Sequence, residues 1–223
     1  MTEQSAAFRL GYVPGVTPDK WARMWGERRP QVPFELDLAT TAEVVARIRG
    51  GELDAGLVRL PIDRDGLHAI PLYTEATVVV VPKDHVVTAA DEATLDDLAD
   101  EIVQRPRDDT LTWAERPGRA AESDPDTTAD AIELVAAGVG VLVLPLSLAR
   151  LHHRRDLTHR PLTDAPTSSV VLTWPDAENS EDMEEFIGII RGRSVNSSRT
   201  PRREQPRTPE SKRRPARRGP RRR

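Results

Sequence analysis

Cysteine is absent from all 223 residues, and aromatic residues are scarce, with four Trp, two Tyr and three Phe. The absence of cysteine excludes disulfide scaffolds, thiolate zinc sites and cysteine nucleophiles. Long apolar runs are also missing, because the longest, residues 139–146, is far shorter than the roughly 20 residues that span a bilayer. The start, MTEQSAAFRL, lacks the basic and apolar regions of a signal peptide. We therefore expect a cytoplasmic protein with no membrane partner.

The charges divide the sequence into two unlike segments. The chain carries 32 Lys and Arg against 36 Asp and Glu, a net charge of −4. Residues 193–223 hold 13 of the basic residues and 2 of the acidic ones, a net charge of +11, which leaves −15 for the remaining body. Only Val195 and Ala216 are apolar in this basic segment, so it cannot bury enough surface to offset its ordering entropy. We predict a disordered basic tail at 193–223.

Strand and helix patterns alternate along the body. The predicted strands are residues 9–13, 33–38, 55–60, 67–72, 76–82, 101–104, 141–144, 158–162 and 168–174. The predicted helices begin at or near Thr17, Thr40, Thr94, Thr127, Pro145, and Asn179 or Ser180. Residues 105–123 form a polar stretch, rich in Pro, Asp and Arg, without a regular pattern. This order is typical of an α/β protein with a mostly parallel sheet and helices on both of its sides.

The residue patterns that carry most enzyme chemistry are missing. The sequence contains no G-x-S-x-G, P-loop or H-E-x-x-H motif, and its many carboxylates show no spacing that selects an acid–base pair. His152, His153 and His159 lack the i, i+4 spacing that places two metal ligands on one helix face. The segment Gly138-Val139-Gly140 follows a helix pattern and precedes a strand, the reverse of a dinucleotide-binding turn. We predict no enzyme, no metal site and no cofactor.

Three stretches of the body are similar to a known family. They are FRLGYVPGVT at 8–17, RIRGGELDAGLVRLP at 47–61 and ELVAAGVGVLVLPLSLARL at 133–151, of which the middle one is the most specific. Over residues 8–192 the sequence resembles the effector-binding (substrate-binding) domain of LysR-type transcriptional regulators. The resemblance implies small-molecule sensing on a type 2 periplasmic-binding-protein-like fold.

That fold consists of two α/β lobes joined by two crossing strands. The resemblance implies a lobe I of residues 8–82 and 165–192 and a lobe II of residues 83–164. The crossings would lie near Val81-Pro82 and near 165–169.

A cleft between the lobes is the expected ligand site. Helix starts that follow strands lie at the carboxyl edge of such a sheet, where ligands collect and where helix N-termini favour an anion. Arg59, at the end of the third strand, could pair bidentately with a ligand carboxylate. The candidate ligand-binding residues are Pro14, Gly15, Val16, Thr17, Thr40, Thr41, Arg59 and Thr128. Two structural alternatives, without ligand contact, stay open: the threonines only cap their helices, and Arg59 forms an ordinary surface salt bridge.

Two departures from the family change the expected function. Family members begin with a winged helix-turn-helix and a linker helix, whereas here the first effector-domain strand starts within ten residues of Met1. We therefore expect a stand-alone sensor of a carboxylate metabolite that acts on transcription only indirectly. Residues 105–123 stand where the family has a regular helix that often contributes to dimerisation, so a homodimer stays open.

The tail supports an alternative function. Its 13 cations could bind nucleic acid nonspecifically through phosphate contacts. An acidic protein partner, association with the acidic body and a solubilising extension are the other interpretations. The alternative is therefore an interaction or nonspecific nucleic-acid-binding protein that works through residues 193–223.

Overall fold

Ten strands and five α-helices are described over residues 6–192 of the computed structural model. The strands are β1 (Phe8–Tyr12), β2 (Phe34–Leu38), β3 (Ala55–Arg59), β4 (Leu67–Glu75), β5 (Thr77–Pro82), β6 (Ile102–Gln104), β7 (Arg119–Ala120), β8 (Val141–Pro145), β9 (Leu157–Pro161) and β10 (Ser168–Pro175). The helices are α1 (Asp19–Arg28), α2 (Thr41–Arg49), α3 (Thr128–Ala136), α4 (Leu146–Leu151) and α5 (Glu181–Ile190). The predicted tail at 193–223 lies outside the described residues.

The strands form two separate five-stranded sheets, which confirms the two-lobed α/β fold. Their orders are β2-β1-β3-β10-β4 in the first lobe and β7-β6-β8-β5-β9 in the second. In each sheet three neighbouring strands are parallel, and the other two join through antiparallel pairs. The expected mostly parallel sheet is therefore wrong, since half of the strand pairs are antiparallel. Hydrophobic periodicity reports which faces are buried and carries no information on strand direction.

Strand β5 lies in the second sheet, where it pairs with β8 and β9. The sequence division places residues 77–82 in lobe I instead, with the crossing near Val81-Pro82. The structure makes the first passage between the sheets at Ala76, the single residue between β4 and β5. The apolar run of β5 predicts burial on both faces, which is correct, but it does not identify the sheet to which the strand belongs.

Seven of the nine aromatic residues lie in the core of the first lobe or pack against it. Phe8, Trp25, Phe34 and Phe186 form a cluster with ring centroids 4.7 to 6.0 Å apart. The buried indole of Trp25 donates a hydrogen bond to the Val32 carbonyl at 2.9 Å, so burial leaves no unpaired donor. The second lobe instead packs aliphatic residues on both faces of its sheet.

The sequence predicts capping threonines at three helix starts beside the cleft, Thr17, Thr40 and Thr127, and two of these caps are confirmed. Thr40 and Thr127 each form a capping box with the acidic residue three positions later. Thr17 does not cap α1, because the N-cap position is Pro18 and no side-chain cap bond is present. Pro18 has helical backbone angles, as is common for proline in the first turn, and the Thr17 hydroxyl accepts no hydrogen bond from that turn.

The helices described over residues 6–192 are all short. None of them is long and apolar enough to cross a membrane.

Candidate functional site

A cavity of about 700 Å³ lies between the two lobes. The first lobe lines it with Val13, Pro14, Leu38, Thr40, Thr41, Ala42, Arg59, Leu60 and Pro61. The second lobe lines it with Asp108, Asp109, Thr110, Leu111, Thr112, Thr127, Thr128, Ala129, Leu148, Leu151 and His152. Most first-lobe residues follow the carboxyl ends of the parallel strands β1, β2 and β3, which is where ligands bind in open α/β sheets.

The structure brings five of the eight predicted ligand residues to this cavity. They are Pro14, Thr40, Thr41, Arg59 and Thr128. They reach one place because β1, β2, β3 and the second-lobe helix α3 all present their ends to the space between the sheets. Ligand contact by these residues stays a prediction.

The remaining three candidates, Gly15, Val16 and Thr17, line a second cavity of about 770 Å³. That cavity also involves Glu75 and Ser147, and Pro14 contributes to both cavities. The β1–α1 loop therefore turns away from the first cavity after Pro14.

Two of the five candidate residues at the first cavity, Thr40 and Thr41, lie at the start of α2, where backbone N–H donors are free within residues 6–192. The carboxylate of Glu43 accepts from the Thr40 N–H at 2.9 Å and from the Thr40 hydroxyl at 2.8 Å. These bonds lower the pKa of Glu43. They also occupy Thr40 in capping, whereas the backbone N–H groups of Thr41 and Ala42 have no acceptor among the described residues.

The first turn of α3 has a similar arrangement with one addition. Thr127 and Asp130 form the capping box, with the Thr127 hydroxyl donating to the Asp130 carboxylate at 2.7 Å. Thr128 is 6% exposed, and its hydroxyl donates to Oδ1 of Asp108 at 2.8 Å. A carboxylate of the chain itself therefore lies beside this helix start.

Arg59 holds the two lobes together. Its Nη1 donates to the Pro14 carbonyl at 2.7 Å, and its Nη2 donates to Oε2 of Glu75 at 3.2 Å and to Oγ of Ser147 at 2.8 Å. The Ser147 hydroxyl, on α4 of the second lobe, also donates to Oε2 of Glu75 at 3.0 Å. The network therefore links the β1 loop, the end of β4 and the start of α4.

The interpretation of Arg59 as an ordinary surface salt bridge is wrong. The side chains of Arg59 and Glu75 are only 2% and 9% exposed, so the pair is buried. Both hydrogens of Nη2 are used, which leaves fewer donors for a bidentate ligand contact than the sequence suggests. Nε is buried and has no partner among the described residues.

The loop after β6 supplies site residues that sequence reasoning missed. Asp109 orders it: Oδ1 accepts from the Leu111 N–H at 2.9 Å, while Oδ2 accepts from Trp113 Nε1 and from Arg116 Nη1, both at 2.9 Å. Such an Asx turn leaves no helix or strand periodicity in the sequence. The pair of aspartates shortly after a predicted strand is the one sequence feature that could have indicated it.

Metal-ligating side chains do not gather at this cavity. Over the part of the chain that the structure describes, no group of three His, Cys, Asp or Glu residues is placed to hold a metal ion.

Comparison with known protein sequences identifies a family and several relatives of this chain. A family model described as the LysR substrate binding domain matches residues 3–194. The chain is 30% identical over 154 residues to a probable hydrogen peroxide-inducible genes activator of Mycobacterium avium, covering 64% of this chain and 50% of that protein. It is 26% identical over 208 residues to the Hca operon transcriptional activator HcaR of Escherichia coli, covering 86% and 70%. The chain thus spans only about half the length of the first of these relatives.

Solved structures show the same fold. The BenM effector binding domain with its effector benzoate superposes with a TM-score of 0.72 at 21% identity, covering 84% of this chain and 91% of that one. The oxidized form of OxyR superposes with a TM-score of 0.69 at 21% identity, covering 85% and 96%.

Proposed function

The chain belongs to the LysR substrate-binding domain family, and we propose that it is a small-molecule-sensing domain that binds its ligand in the cavity between the lobes. The observation that carries this proposal is the cavity of about 700 Å³, lined by both lobes. A ligand that contacts both walls can bias the arrangement of the lobes. Family membership relates this sensing to transcription regulation, and indirect action through a partner or the tail stays a prediction.

The ligand of this proposal carries a carboxylate on an apolar body. The N–H groups of Thr41 and Ala42 are at the positive end of the α2 dipole and lack acceptors within the described chain. Leu38, Leu111 and Leu148 are among the apolar residues that line the remaining wall. Benzoate, the effector named for the BenM structure, combines these two features.

Thermal unfolding of the full chain against a panel of carboxylates tests the proposal. The panel contains benzoate, aliphatic monocarboxylates and dicarboxylates, and amino acids. A ligand at 100 times its dissociation constant adds about 2.7 kcal/mol to the free energy of unfolding. For a protein of this size that corresponds to a rise in Tm of roughly 5 to 10 °C.

Two matched substitutions on α2 locate the binding site. Ala42 and Ala46 are both exposed, but only Ala42 lines the cavity. Ala42→Phe should remove the rise in Tm by filling the cavity, and Ala46→Phe should retain it. A panel with no effect on the wild-type protein, or a ligand that still binds Ala42→Phe with wild-type affinity, would contradict the proposal.

A second candidate function rests on the charge of the C-terminal segment. Residues 193–223 carry 13 Lys and Arg against 2 Asp and Glu, which favours nonspecific binding of nucleic acid or an acidic protein. Fluorescence anisotropy with random duplex DNA should show binding that weakens steeply between about 50 and 200 mM salt. Removal of residues 193–223 should abolish it. A homodimer also stays a prediction, which light scattering can test.

A further inference from the structure

One carboxylate in the cavity has no cation to neutralise it. The ionisable residues that line the cavity are Arg59, Asp108, Asp109 and His152. Arg59 is paired with the buried carboxylate of Glu75. The other two lining charges are both aspartates.

These two aspartates differ in their partners. Asp109 is paired with Arg116 at 2.9 Å. Within residues 6–192, Asp108 forms no ion pair, and its one hydrogen bond is the contact from the Thr128 hydroxyl. The second-lobe wall of the cavity therefore presents an uncompensated negative charge.

The position of Asp108 makes the two ends of the cavity electrostatically different. Its carboxylate lies beside the first residue of α3, where a negative charge is stabilised by the helix dipole. A ligand carboxylate placed there would meet a like charge. The capping-box acids of the two helices, Glu43 and Asp130, are both outside the cavity lining, so Asp108 is the acidic residue that distinguishes the α3 end from the α2 end.

Two residues that line the cavity each have a buried polar atom without a partner among the described residues. The atoms are Nε of Arg59 and Oγ1 of Thr110, which form no hydrogen bond within the described part of the chain. A buried polar atom without a partner is costly, and such atoms often mark a place that a ligand or water completes. Neither atom selects an ammonium group, because Nε of Arg59 is a donor on a cation and Oγ1 of Thr110 is uncharged, so the charge expected of the ligand rests on Asp108.

Resting on the proposed function, we propose that Asp108 is a specificity-determining residue that pairs with a protonated amine of the ligand. The ligand class is then a small zwitterion. Its carboxylate faces the N–H groups at the start of α2, its ammonium group faces Asp108, and an apolar body lies between them. Because the ends belong to different lobes, such a ligand bridges the cavity.

Matched probes that differ in one group test this assignment on the full chain. One set is 4-methylbenzoate, 4-(hydroxymethyl)benzoate and 4-(aminomethyl)benzoate, and the other is hexanoate, 6-hydroxyhexanoate and 6-aminohexanoate. Isothermal titration calorimetry should show that, in at least one set, the amine binds about tenfold more tightly than the methyl probe. This preference should shrink as salt is added, because an ion pair in an open cavity is screened.

Asp108→Asn removes the charge and keeps an oxygen that can accept the Thr128 hydrogen bond. The variant should lose the preference for the amine, while the methyl and hydroxyl probes bind within about threefold of their wild-type affinity, a difference of under 1 kcal/mol. Asp124→Asn is the control, because Asp124 is exposed, lies outside the cavity and gives the same change in net charge. It should retain the preference.

The outcomes separate this inference from the function on which it rests. Binding of the methyl probes without a preference for the amine, or a preference that survives in Asp108→Asn, overturns the role of Asp108 and leaves small-molecule sensing intact. If no probe of either set binds the wild-type protein, a carboxylate site in the cavity is refuted together with the role of Asp108.

Discussion

Glu75 should stabilise the folded protein chiefly by neutralising a buried guanidinium. Glu75→Gln tests this with little change of shape, because the amide oxygen can still accept from Arg59 and from Ser147. The substitution leaves the Arg59 charge without its carboxylate in a place where the two side chains are 2% and 9% exposed. Removal of one partner of a buried pair costs about 3 to 5 kcal/mol, and we expect the lower end because the hydrogen bonds persist.

Urea unfolding followed by far-UV circular dichroism measures this loss. Linear extrapolation of the transition gives the free energy of unfolding, and an unchanged slope shows that the unfolded state is the same. The control is Asp63→Asn, which breaks the ion pair between Nη2 of Arg49 and Oδ2 of Asp63, 2.9 Å apart. The side chains of this pair are 40% and 69% exposed. That variant should lose less than about 1 kcal/mol, because exposed pairs are screened by solvent.

A double-mutant cycle separates the buried charge from the loss of contacts. Arg59→Met combined with Glu75→Gln leaves neither charge in the interior, so the double variant should be more stable than the sum of the single losses implies. We expect a coupling of about 2 kcal/mol, which is within the range for residues in contact. A loss under about 1 kcal/mol for Glu75→Gln, or single losses that add without coupling, would refute the electrostatic account of this pair.

Two further predictions concern pH and helix capping. Burial, and then the positive charge of Arg150 and Arg160, lowers the pKa of His159 below its ordinary value of 6.5. The unfolded chain therefore binds more protons as the pH falls through 6.5, so stability falls with it, and His159→Gln should flatten this dependence in urea titrations between about pH 5 and 8. Thr127→Ala should cost about 1 kcal/mol of stability through the lost cap, and Thr17→Ala less than about 0.5 kcal/mol, since Thr17 is exposed and caps no helix. Equal losses at the two threonines in urea unfolding would contradict the assigned caps.

The two-lobed fold could be predicted where local patterns carry it. The capping boxes at Thr40 and Thr127 and the apolar run of β5 are local features, and each has the predicted structure. The sheet to which β5 belongs could not be predicted, because it depends on where the chain passes from one lobe to the other. The predicted cap at Thr17 is wrong, because its hydroxyl does not bond the first turn of α1, and the orientation of one side chain cannot be predicted from the local pattern.

The first-lobe side of the site follows from strand order, and the second-lobe side does not. Thr40 and Thr41 follow the parallel strand β2, and Arg59 is the last residue of the parallel strand β3, so their position at one sheet edge is a consequence of topology. Asp108 lies at the same cavity on a loop that Asp109 orders through contacts with side chains and backbone further along. Contacts of that kind leave no periodic pattern, so the sequence showed residues 105–123 only as an irregular polar stretch.

Arg59 connects ligand binding to the arrangement of the lobes in physical terms. It lines the cavity of about 700 Å³. Glu75 and Ser147, which accept hydrogen bonds from its Nη2, line the second cavity, of about 770 Å³. A ligand changes the balance between lobe arrangements only by the difference in its binding free energy between them.

Ser147 accepts the hydrogen bond from Arg59 only in arrangements that bring α4 close to β3. A ligand that competes with Ser147 for Arg59 would therefore favour separation of the lobes, and one that leaves the contact intact would favour the arrangement described here. The affinity of Glu75→Gln for a cavity ligand should accordingly change along with its stability, although Glu75 does not line that cavity.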